Sequence, residues 1–222
     1  MLKCLIIFCL TTTAAFLQAQ DYETRFINFG LINIHELDED IVVELKYSTT
    51  DNFLHTDLYG NLTEAYLQPD VAEKLVLAQA LLQSKFPYYT LVILDAARPV
   101  EVQQKMWEFM SDYPVQERTK YVSNPKNGSL HNFGAAVDVT IKDLNGGYLD
   151  MGTPYDYFGE LAYPRLEKHF LETGELTPEQ YQNRLLLRNV MQAAGFSGIS
   201  TEWWHFNSCS REEAKLKYRI IP

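Results

Sequence analysis

Apolar residues follow strand-like spacing in four parts of this chain. Residues 41–47 end in alternation, with apolar side chains at every second position up to Tyr47, which is typical of a half-buried strand. Residues 91–94 form a short apolar run of the buried type, and residues 137–141 are rich in β-branched side chains. Residues 203–206 predict a further strand.

Helical spacing predicts helices between and after these strands. Asp70 and Glu73 form a capping signal, and the apolar positions that follow extend a helix to about residue 86. The other helix signals are Pro99, a capping box at Thr177 with a stop at Gly195, and a capping box at Ser210. The apolar stripe after Pro99 comprises Val102, Met106, Phe109 and Met110.

The order of these elements favours an α+β fold. Strands and helices do not alternate as regular βαβ units, and no glycine-rich loop joins a strand to a helix. We therefore expect a central antiparallel sheet flanked by helices. A chain of 222 residues, 46% of them hydrophobic, can bury about 70% of its unfolded surface in one core, so a single domain is expected.

The first 19 residues predict a secretory signal peptide rather than part of that domain. Lys3 precedes an apolar run over residues 4–10, and Ala19 is a small residue at the predicted cleavage site. The run is too short to remain as a membrane-spanning helix, so no stable membrane insertion is expected after cleavage. We expect export to the periplasm or beyond the cell, with a mature domain over residues 20–222. A lipoprotein anchor at Cys9 is the less favoured alternative, because bulky apolar residues precede that cysteine.

Charge and cysteine content narrow the classes of partner. The chain has 19 Lys and Arg against 29 Asp and Glu, a formal charge of −10. No nucleic-acid partner is expected, since affinity for a phosphate backbone comes from Lys and Arg. Removal of the predicted signal leaves Cys209 as the one cysteine, so no internal disulfide is expected.

Two short patterns place histidines beside carboxylates and predict a metal centre. His131 and Asp138 flank a turn of small residues, and His205 follows Glu202 by three positions. A catalytic zinc takes three nitrogen or oxygen ligands and leaves a fourth position to water. His131, Asp138 and His205 meet that requirement, so one zinc ion per chain is expected. Two neutral imidazoles and one carboxylate leave the site a net positive charge that lowers the pKa of the bound water.

Two further residues complete the predicted chemistry. Glu202 is the candidate general base, because its spacing from His205 keeps its carboxylate close to the metal-bound water. On a regular strand these two side chains would point to opposite faces, so we expect a bend or a strand end between them. Arg98, between a buried-type strand and a helix start, is the candidate group that stabilises the oxyanion of the transition state.

Taken singly, these patterns have common structural explanations. A loop histidine or an arginine before proline is most often a local contact, and Trp203 and Trp204 are expected to pack in the core and at its rim. Cys209 is expected to be a small buried hydrophobe rather than a metal ligand. Both histidine patterns in one exported domain favour a metal centre, because packing gives no reason for both. The histidines left as surface or structural residues are His35, His55 and His169.

Several segments resemble the D-alanyl-D-alanine dipeptidase family, zinc peptidases that split the D,D-dipeptide of bacterial cell walls and include vancomycin-resistance enzymes. S-x-H-(x)₆-D over residues 129–138 and E-x-x-H over residues 202–205 are shared with a broader superfamily of D,D-carboxypeptidases and endolysin-type peptidases. M-G-T-P-Y-D over residues 151–156 and Y-x-x-x-D-N-F over residues 47–53 narrow the resemblance to the dipeptidases. It implies a hedgehog- and D,D-peptidase-like zinc peptidase fold.

The resemblance also implies roles for residues in the substrate pocket. Asp156 and Ser129 would hold the free ammonium of the substrate, and Tyr47 would line the pocket. A dipeptidase must recognise the N-terminal amine, and a carboxylate does so through a charge-assisted hydrogen bond. Two positions depart from the usual family residues: Ala96-Ala97 stands where an aromatic residue is frequent, and Tyr155 where phenylalanine is frequent.

These observations predict zinc-dependent hydrolysis of D-alanyl-D-alanine, a small free-amine D,D-dipeptide. One alternative is a D,D-carboxypeptidase or endopeptidase acting on longer peptidoglycan peptides. The other is a zinc-stabilised binding module without turnover, as in hedgehog signalling domains, against which the presence of both Glu202 and Arg98 argues. The biological role and the oligomeric state stay open at this point.

Overall fold

A computed structural model describes residues 22–119 and 121–222 of the chain. The predicted signal peptide, residues 1–19, lies outside the described residues. Within the described ranges, no helix has both the length and the apolar character needed to cross a bilayer.

Short and long strands form two sheets. The strands are β1 (Ile32–Asn33), β2 (Val42–Val43), β3 (Tyr66–Leu67), β4 (Tyr89–Asp95), β5 (Ala136–Asp143), β6 (Ser197–Gly198) and β7 (His205–Asn207). The central sheet has the order β2–β4–β5–β7–β6, and β1 pairs with β3 separately. All pairs are antiparallel except β2 with β4, which is parallel. The predicted α+β class is confirmed, with a parallel edge strand as the difference.

Two predicted strands are shorter in the structure. Residues 41–47 contribute only β2, and the chain then enters a 3₁₀ turn over Lys46–Ser48 that buries Tyr47. The strand ends because the Tyr47 side chain turns inward toward a hydrogen-bonding partner, Asp156. The predicted strand over residues 203–206 begins only at His205, because Trp203 and Trp204 form a bend that buries both indoles.

The four helices that the spacing predicts are present, and the described part of the chain adds three short helices that it does not predict. In chain order the helices are α1 (residues 22–28), α2 (Pro69–Lys85), α3 (Val100–Phe109), α4 (Val115–Arg118), α5 (Glu167–Thr173), α6 (Pro178–Ala193) and α7 (Arg211–Lys217). The capping boxes at Thr177 and Ser210 are both formed, which fixes the starts of α6 and α7. Gly195, just after α6, adopts φ +88°, a left-handed conformation that ends the helix.

Two details of the helix predictions are wrong. Asp70 does not cap α2, since that helix starts at Pro69, whose fixed φ suits a first turn. The Asp70 carboxylate instead accepts hydrogen bonds from the Tyr218 hydroxyl at 2.7 and 2.8 Å. Phe109 does not join the buried stripe and is 56% exposed. The α-helix ends there, whereas Met110, the first residue of the following 3₁₀ turn, is buried as predicted.

The sheet register places the candidate site at one end of β5 and β7. β4 and β5 pair along most of their length and are buried, with α2 packed against β4 and α6 packed against α2. Asp138 of β5 lies directly opposite His205 of β7. The chain therefore brings two sequence-distant motifs together through backbone pairing, before any metal is considered.

Candidate functional site

Three side chains converge as a possible metal-binding group: His131, Asp138 and His205. His131 Nε2 lies 3.2 Å from His205 Nδ1 and 3.4 Å from Asp138 Oδ1, and His205 Nδ1 lies 3.0 Å from the same oxygen. Strand pairing holds Asp138 opposite His205, and a 3₁₀ turn over Leu130–Phe133 carries His131. The three atoms are thus placed by the backbone of rigid elements.

The second nitrogen of each imidazole is held by an acceptor. His131 Nδ1 lies 2.7 Å from the Ala96 carbonyl oxygen, and His205 Nε2 lies 2.9 Å from Asn207 Oδ1. A carbonyl oxygen can only accept, so each of these nitrogens carries the proton. The lone pairs of His131 Nε2 and His205 Nδ1 therefore face each other and the Asp138 carboxylate, an arrangement that a cation would stabilise.

The turn that carries His131 is itself tightly specified. Ser129 caps it, with its hydroxyl accepting from the His131 N–H at 3.4 Å, and Asn132 completes the reciprocal capping box. Gly134 ends the turn at φ +65°, and a Cβ there would lie 2.8 Å from a Leu31 methyl carbon. Only glycine fits both the backbone angle and the close approach.

The other oxygen of Asp138 is held by a residue whose contribution the sequence did not predict. The Tyr155 hydroxyl donates to Asp138 Oδ2 at 2.9 Å, and Arg98 Nη2 lies 4.0 Å from that oxygen. The tyrosine in the M-G-T-P-Y-D segment was the sequence signal for this contact, because a phenylalanine at that position could not donate the hydrogen bond.

Arg98 is buried and held by a network of polar groups. Its Nε donates to Asp95 Oδ2 at 2.9 Å, its Nη2 donates to the same oxygen, and its Nη1 donates to Gln103 Oε1 at 2.8 Å. Burial alone would lower the pKa of Arg98, but the Asp95 carboxylate raises it well above its usual value. The guanidinium is therefore a permanent, fixed positive charge. Sequence reasoning missed Asp95, which ends β4.

Glu202 directly precedes the bend at Trp203 and Trp204, and the strand begins only at His205, in agreement with the predicted bend or strand end between Glu202 and His205. Its Oε2 is 4.0 Å from His205 Nδ1. Enclosure in the site raises the pKa of Glu202 to about 8, with the negative charges of Asp138 and Asp156 adding to that effect and His205 opposing it. A carboxylate in these surroundings can accept a proton near neutral pH.

Asp156 and Tyr47 form the other side of the site. The Tyr47 hydroxyl lies 3.1 and 3.0 Å from the two Asp156 oxygens. Burial and the charge of Asp138 raise the pKa of Asp156 to about 8. A cationic ligand beside Asp156 would lower this pKa and so favour the ionised carboxylate. Asp156 adopts φ +59°, a left-handed conformation that aspartate tolerates better than most residues.

The loop that carries Asp156 is tied to the helix α6. Arg184, fully buried on α6, donates to the Met151 carbonyl at 2.6 Å and to the Leu161 carbonyl at 2.9 Å, on either side of Asp156. Trp203 supports the same loop, because its indole N–H donates to Thr153 Oγ1 at 2.8 Å.

All eight sequence-predicted site residues line one cavity of about 180 Å³. They are Tyr47, Arg98, Ser129, His131, Asp138, Asp156, Glu202 and His205. Trp204 also lines the cavity, whereas Trp203 packs behind it. Cys209 is half-buried against the core and does not belong to the metal-binding group.

The remaining histidines do not line this cavity. His35 is held between the Glu64 carboxylate at 2.7 Å and the Ile41 carbonyl at 2.9 Å. His55 and His169 are exposed. Their expected surface or structural character agrees with these positions.

Known proteins with similar sequences are D,D-dipeptidases. The family described as D-ala-D-ala dipeptidase matches residues 28–220. The D-alanyl-D-alanine dipeptidase of Escherichia coli K12 is 32% identical over 176 residues, which cover 79% of this chain and 83% of the relative. The D-alanyl-D-alanine dipeptidase of Enterococcus faecium is 27% identical over 197 residues, which cover 81% and 92%.

Solved structures give weaker matches. The vancomycin-resistance D,D-dipeptidase VanXYg, in complex with a phosphinate analogue of D-Ala-D-Ala, matches with a TM-score of 0.39 and 21% identity over 71% of this chain and 55% of that one. The LD-carboxypeptidase LdcB matches with a TM-score of 0.42 and 16% identity over 68% and 63%. Family assignment therefore rests on the sequence matches.

Proposed function

This chain belongs to the D-Ala-D-Ala dipeptidase family of peptidases, and from that premise we propose that it hydrolyses free D-alanyl-D-alanine with one zinc ion held by His131, Asp138 and His205. The observation that carries the proposal is the single cavity of about 180 Å³, which joins the metal-binding group to an acid-base carboxylate, a fixed cation and a carboxylate suited to an amine.

The donor set suits zinc. Two imidazole nitrogens and one carboxylate oxygen are ligands that zinc takes in catalytic sites. Ligands 2.0–2.2 Å from a tetrahedral ion lie about 3.3–3.6 Å from one another. The three atoms here are separated by 3.0, 3.2 and 3.4 Å, close to that spacing. When bound, zinc would supply a Lewis acid that activates a water molecule and polarises the scissile carbonyl.

Glu202 transfers the proton of the attacking water, and Arg98 stabilises the negative charge that forms during the reaction. Glu202 takes the proton from the attacking water and delivers it to the leaving nitrogen of the second D-alanine. Arg98 stabilises the negative charge that develops on the carbonyl oxygen. Because Asp95 and Gln103 hold its guanidinium in place, little reorganisation is needed when that charge forms.

Asp156 and Tyr47 select the substrate by its free amine. The ammonium of the first D-alanine pairs with the Asp156 carboxylate, which Tyr47 orients. Ser129 lines the same cavity and offers a hydroxyl to the substrate. An ammonium subsite beside the metal favours dipeptides over longer peptidoglycan peptides, whose amine lies farther from the scissile bond.

A substrate panel tests the proposal. Purified protein is assayed against D-Ala-D-Ala, N-acetyl-D-Ala-D-Ala and a peptidoglycan pentapeptide, with added zinc and after chelation. We expect hydrolysis of the free dipeptide, loss of activity with chelator and recovery with zinc. Faster cleavage of the pentapeptide would identify a carboxypeptidase instead. Zinc binding without cleavage of any of the three would identify a binding module.

We further propose that residues 1–19 direct export and are removed, so that the enzyme acts in the periplasm or outside the cell. The charged start, the apolar run and Ala19 support this assignment. N-terminal sequencing of the protein recovered from cell fractions tests it, and an intact N-terminus in the cytoplasmic fraction would contradict it.

A further inference from the structure

The proposed substrate has two charged ends, and the residues discussed so far bind only one of them. Asp156 and Tyr47 suit the ammonium, but burying the C-terminal carboxylate without a partner is strongly unfavourable. The inference that follows rests on the proposed function and concerns the residue that binds this second end.

The described lining of the cavity includes two cationic side chains, Arg98 and Arg211. Arg98 is engaged by Asp95 and Gln103, so its charge is already balanced. Arg211, the first residue of α7, is half-buried, and its Nη1 donates to the Asn127 carbonyl oxygen at 3.3 Å. Within the described residues no carboxylate pairs with it. Its guanidinium therefore lines the cavity with no carboxylate of the described residues within ion-pair distance.

Arg211 and Asp156 are carried into the cavity by different segments. Asp156 lies in a loop and is hydrogen-bonded by Tyr47, which follows β2 at one edge of the central sheet. Arg211 starts α7, which packs against the 3₁₀ turn that carries His131. Both side chains line the cavity that contains the metal-binding group. A dipeptide bound there therefore meets a carboxylate suited to its ammonium and a guanidinium suited to its carboxylate.

We propose that Arg211 binds the C-terminal carboxylate of the dipeptide through a charge-assisted hydrogen bond. Its guanidinium has donors beyond the one used by Asn127, and a guanidinium matches a carboxylate geometrically. Arg211 thus makes the enzyme selective for dipeptides with a free C-terminus and helps to exclude peptides that continue beyond it.

The test compares two substrates in three variants. D-Ala-D-Ala and its C-terminal amide are assayed with the wild type, Arg211→Gln and Arg211→Lys, with Arg165→Gln as a control at an exposed arginine outside the cavity. For Arg211→Gln we expect kcat/KM on the free dipeptide to fall about 10- to 100-fold. The rate on the amide should change less than about threefold, and Arg211→Lys should retain part of the preference for the carboxylate.

The outcomes separate the two proposals. Suppose the wild type cleaves D-Ala-D-Ala, and Arg211→Gln loses activity equally on both substrates or keeps full activity on both. The carboxylate assignment is then wrong, while the proposed function stands. If the wild type cleaves neither substrate in the presence of zinc, both proposals fail. Thermal melting of each variant distinguishes a folding defect from a loss of substrate binding. An Arg211→Lys variant that has wild-type stability but no preference for the free carboxylate over the amide would also overturn the assignment.

Discussion

The metal side and the ammonium side of the cavity are built in different ways. His131, Asp138 and His205 are carried by a capped turn and by two paired strands, so backbone hydrogen bonds place all three. Asp156 belongs to a loop, and its position depends on Tyr47 and on the two carbonyl bonds from Arg184. The metal side is therefore placed by backbone hydrogen bonds of a turn and two paired strands, and the ammonium side by side-chain contacts to a loop.

That difference predicts separable defects. Changes on the metal side should alter metal affinity and the rate of the chemical step. Changes on the ammonium side should alter KM and substrate choice while the metal stays bound.

The largest effect is expected for Asp138→Asn. The substitution keeps the size of a metal ligand but removes its charge, so the zinc content should fall well below one per chain and kcat/KM should fall roughly a thousandfold or more. Asp143→Asn, at the other end of β5, is the matched control. Elemental analysis and steady-state rates check this, and full zinc occupancy in Asp138→Asn would exclude it as a ligand.

Asp156→Asn should act on substrate binding. Loss of the charge opposite the ammonium should raise KM about 10- to 100-fold with zinc content unchanged. In the wild type only the ionised carboxylate pairs with the ammonium, so KM should rise as the pH falls through the pKa of Asp156. Asp156→Asn should lack that rise. Steady-state kinetics across pH check this, and an unchanged preference for free-amine over N-acetylated dipeptide would count against the role.

Tyr155→Phe should weaken the metal site more than the ammonium side, because the substitution keeps the ring that packs edge-on against Tyr47. It removes the hydrogen bond to Asp138 Oδ2, the oxygen that faces away from the two imidazoles. Zinc affinity should fall about tenfold, at the low end for supporting residues of metal ligands. Competition with a chromophoric chelator measures it, with exposed Tyr157→Phe as the control on the same loop. Equal affinities for the two variants would show that the bond does not support the metal.

Arg184→Met should give the smallest catalytic effect and the clearest separation between the metal side and the ammonium side. It removes the bonds to the Met151 and Leu161 carbonyls, while Glu167 keeps its pair with Arg188 at 2.7 Å. We expect a loss of about 2 kcal/mol in the free energy of unfolding and a KM increase of a few fold. Zinc affinity should not change. Denaturant titration and metal titration check both points, and a loss of zinc affinity as large as the rise in KM would contradict the separation of the two sides.

Much of the fold was predictable because its signals are local. The capping boxes at Thr177 and Ser210 and the apolar runs of β4 and β5 depend on neighbouring residues only, and the structure has them where the sequence indicates. The prediction that Asp70 caps α2 was wrong because the helix starts at Pro69 without a side-chain cap. Phe109 was predicted wrongly: it is the last residue of α3 and its side chain is exposed, while Val102, Met106 and Met110 are buried.

The candidate site likewise contains residues that the sequence predicted and residues that it did not. The metal-binding group could be predicted because each motif is short and its residue types are chemically restrictive. The hydrogen bond from Tyr155 to Asp138 joins two separate segments, and spacing alone does not reveal such a contact. Asp95 and Asn207 instead contact residues three and two positions away, Arg98 and His205, so both had local signals that the sequence reasoning missed. Residues two apart on a strand share a face, as His205 and Asn207 do.

The most direct test of the central claim is the rate of D-Ala-D-Ala hydrolysis by zinc-loaded Glu202→Gln, with exposed Glu172→Gln as the control. The variant keeps all three proposed zinc ligands and loses only the group that accepts the proton. We predict one zinc per chain and a kcat lowered by a factor of about 10² to 10⁴. A zinc-loaded Glu202→Gln that turns over the dipeptide at the wild-type rate would contradict the mechanism.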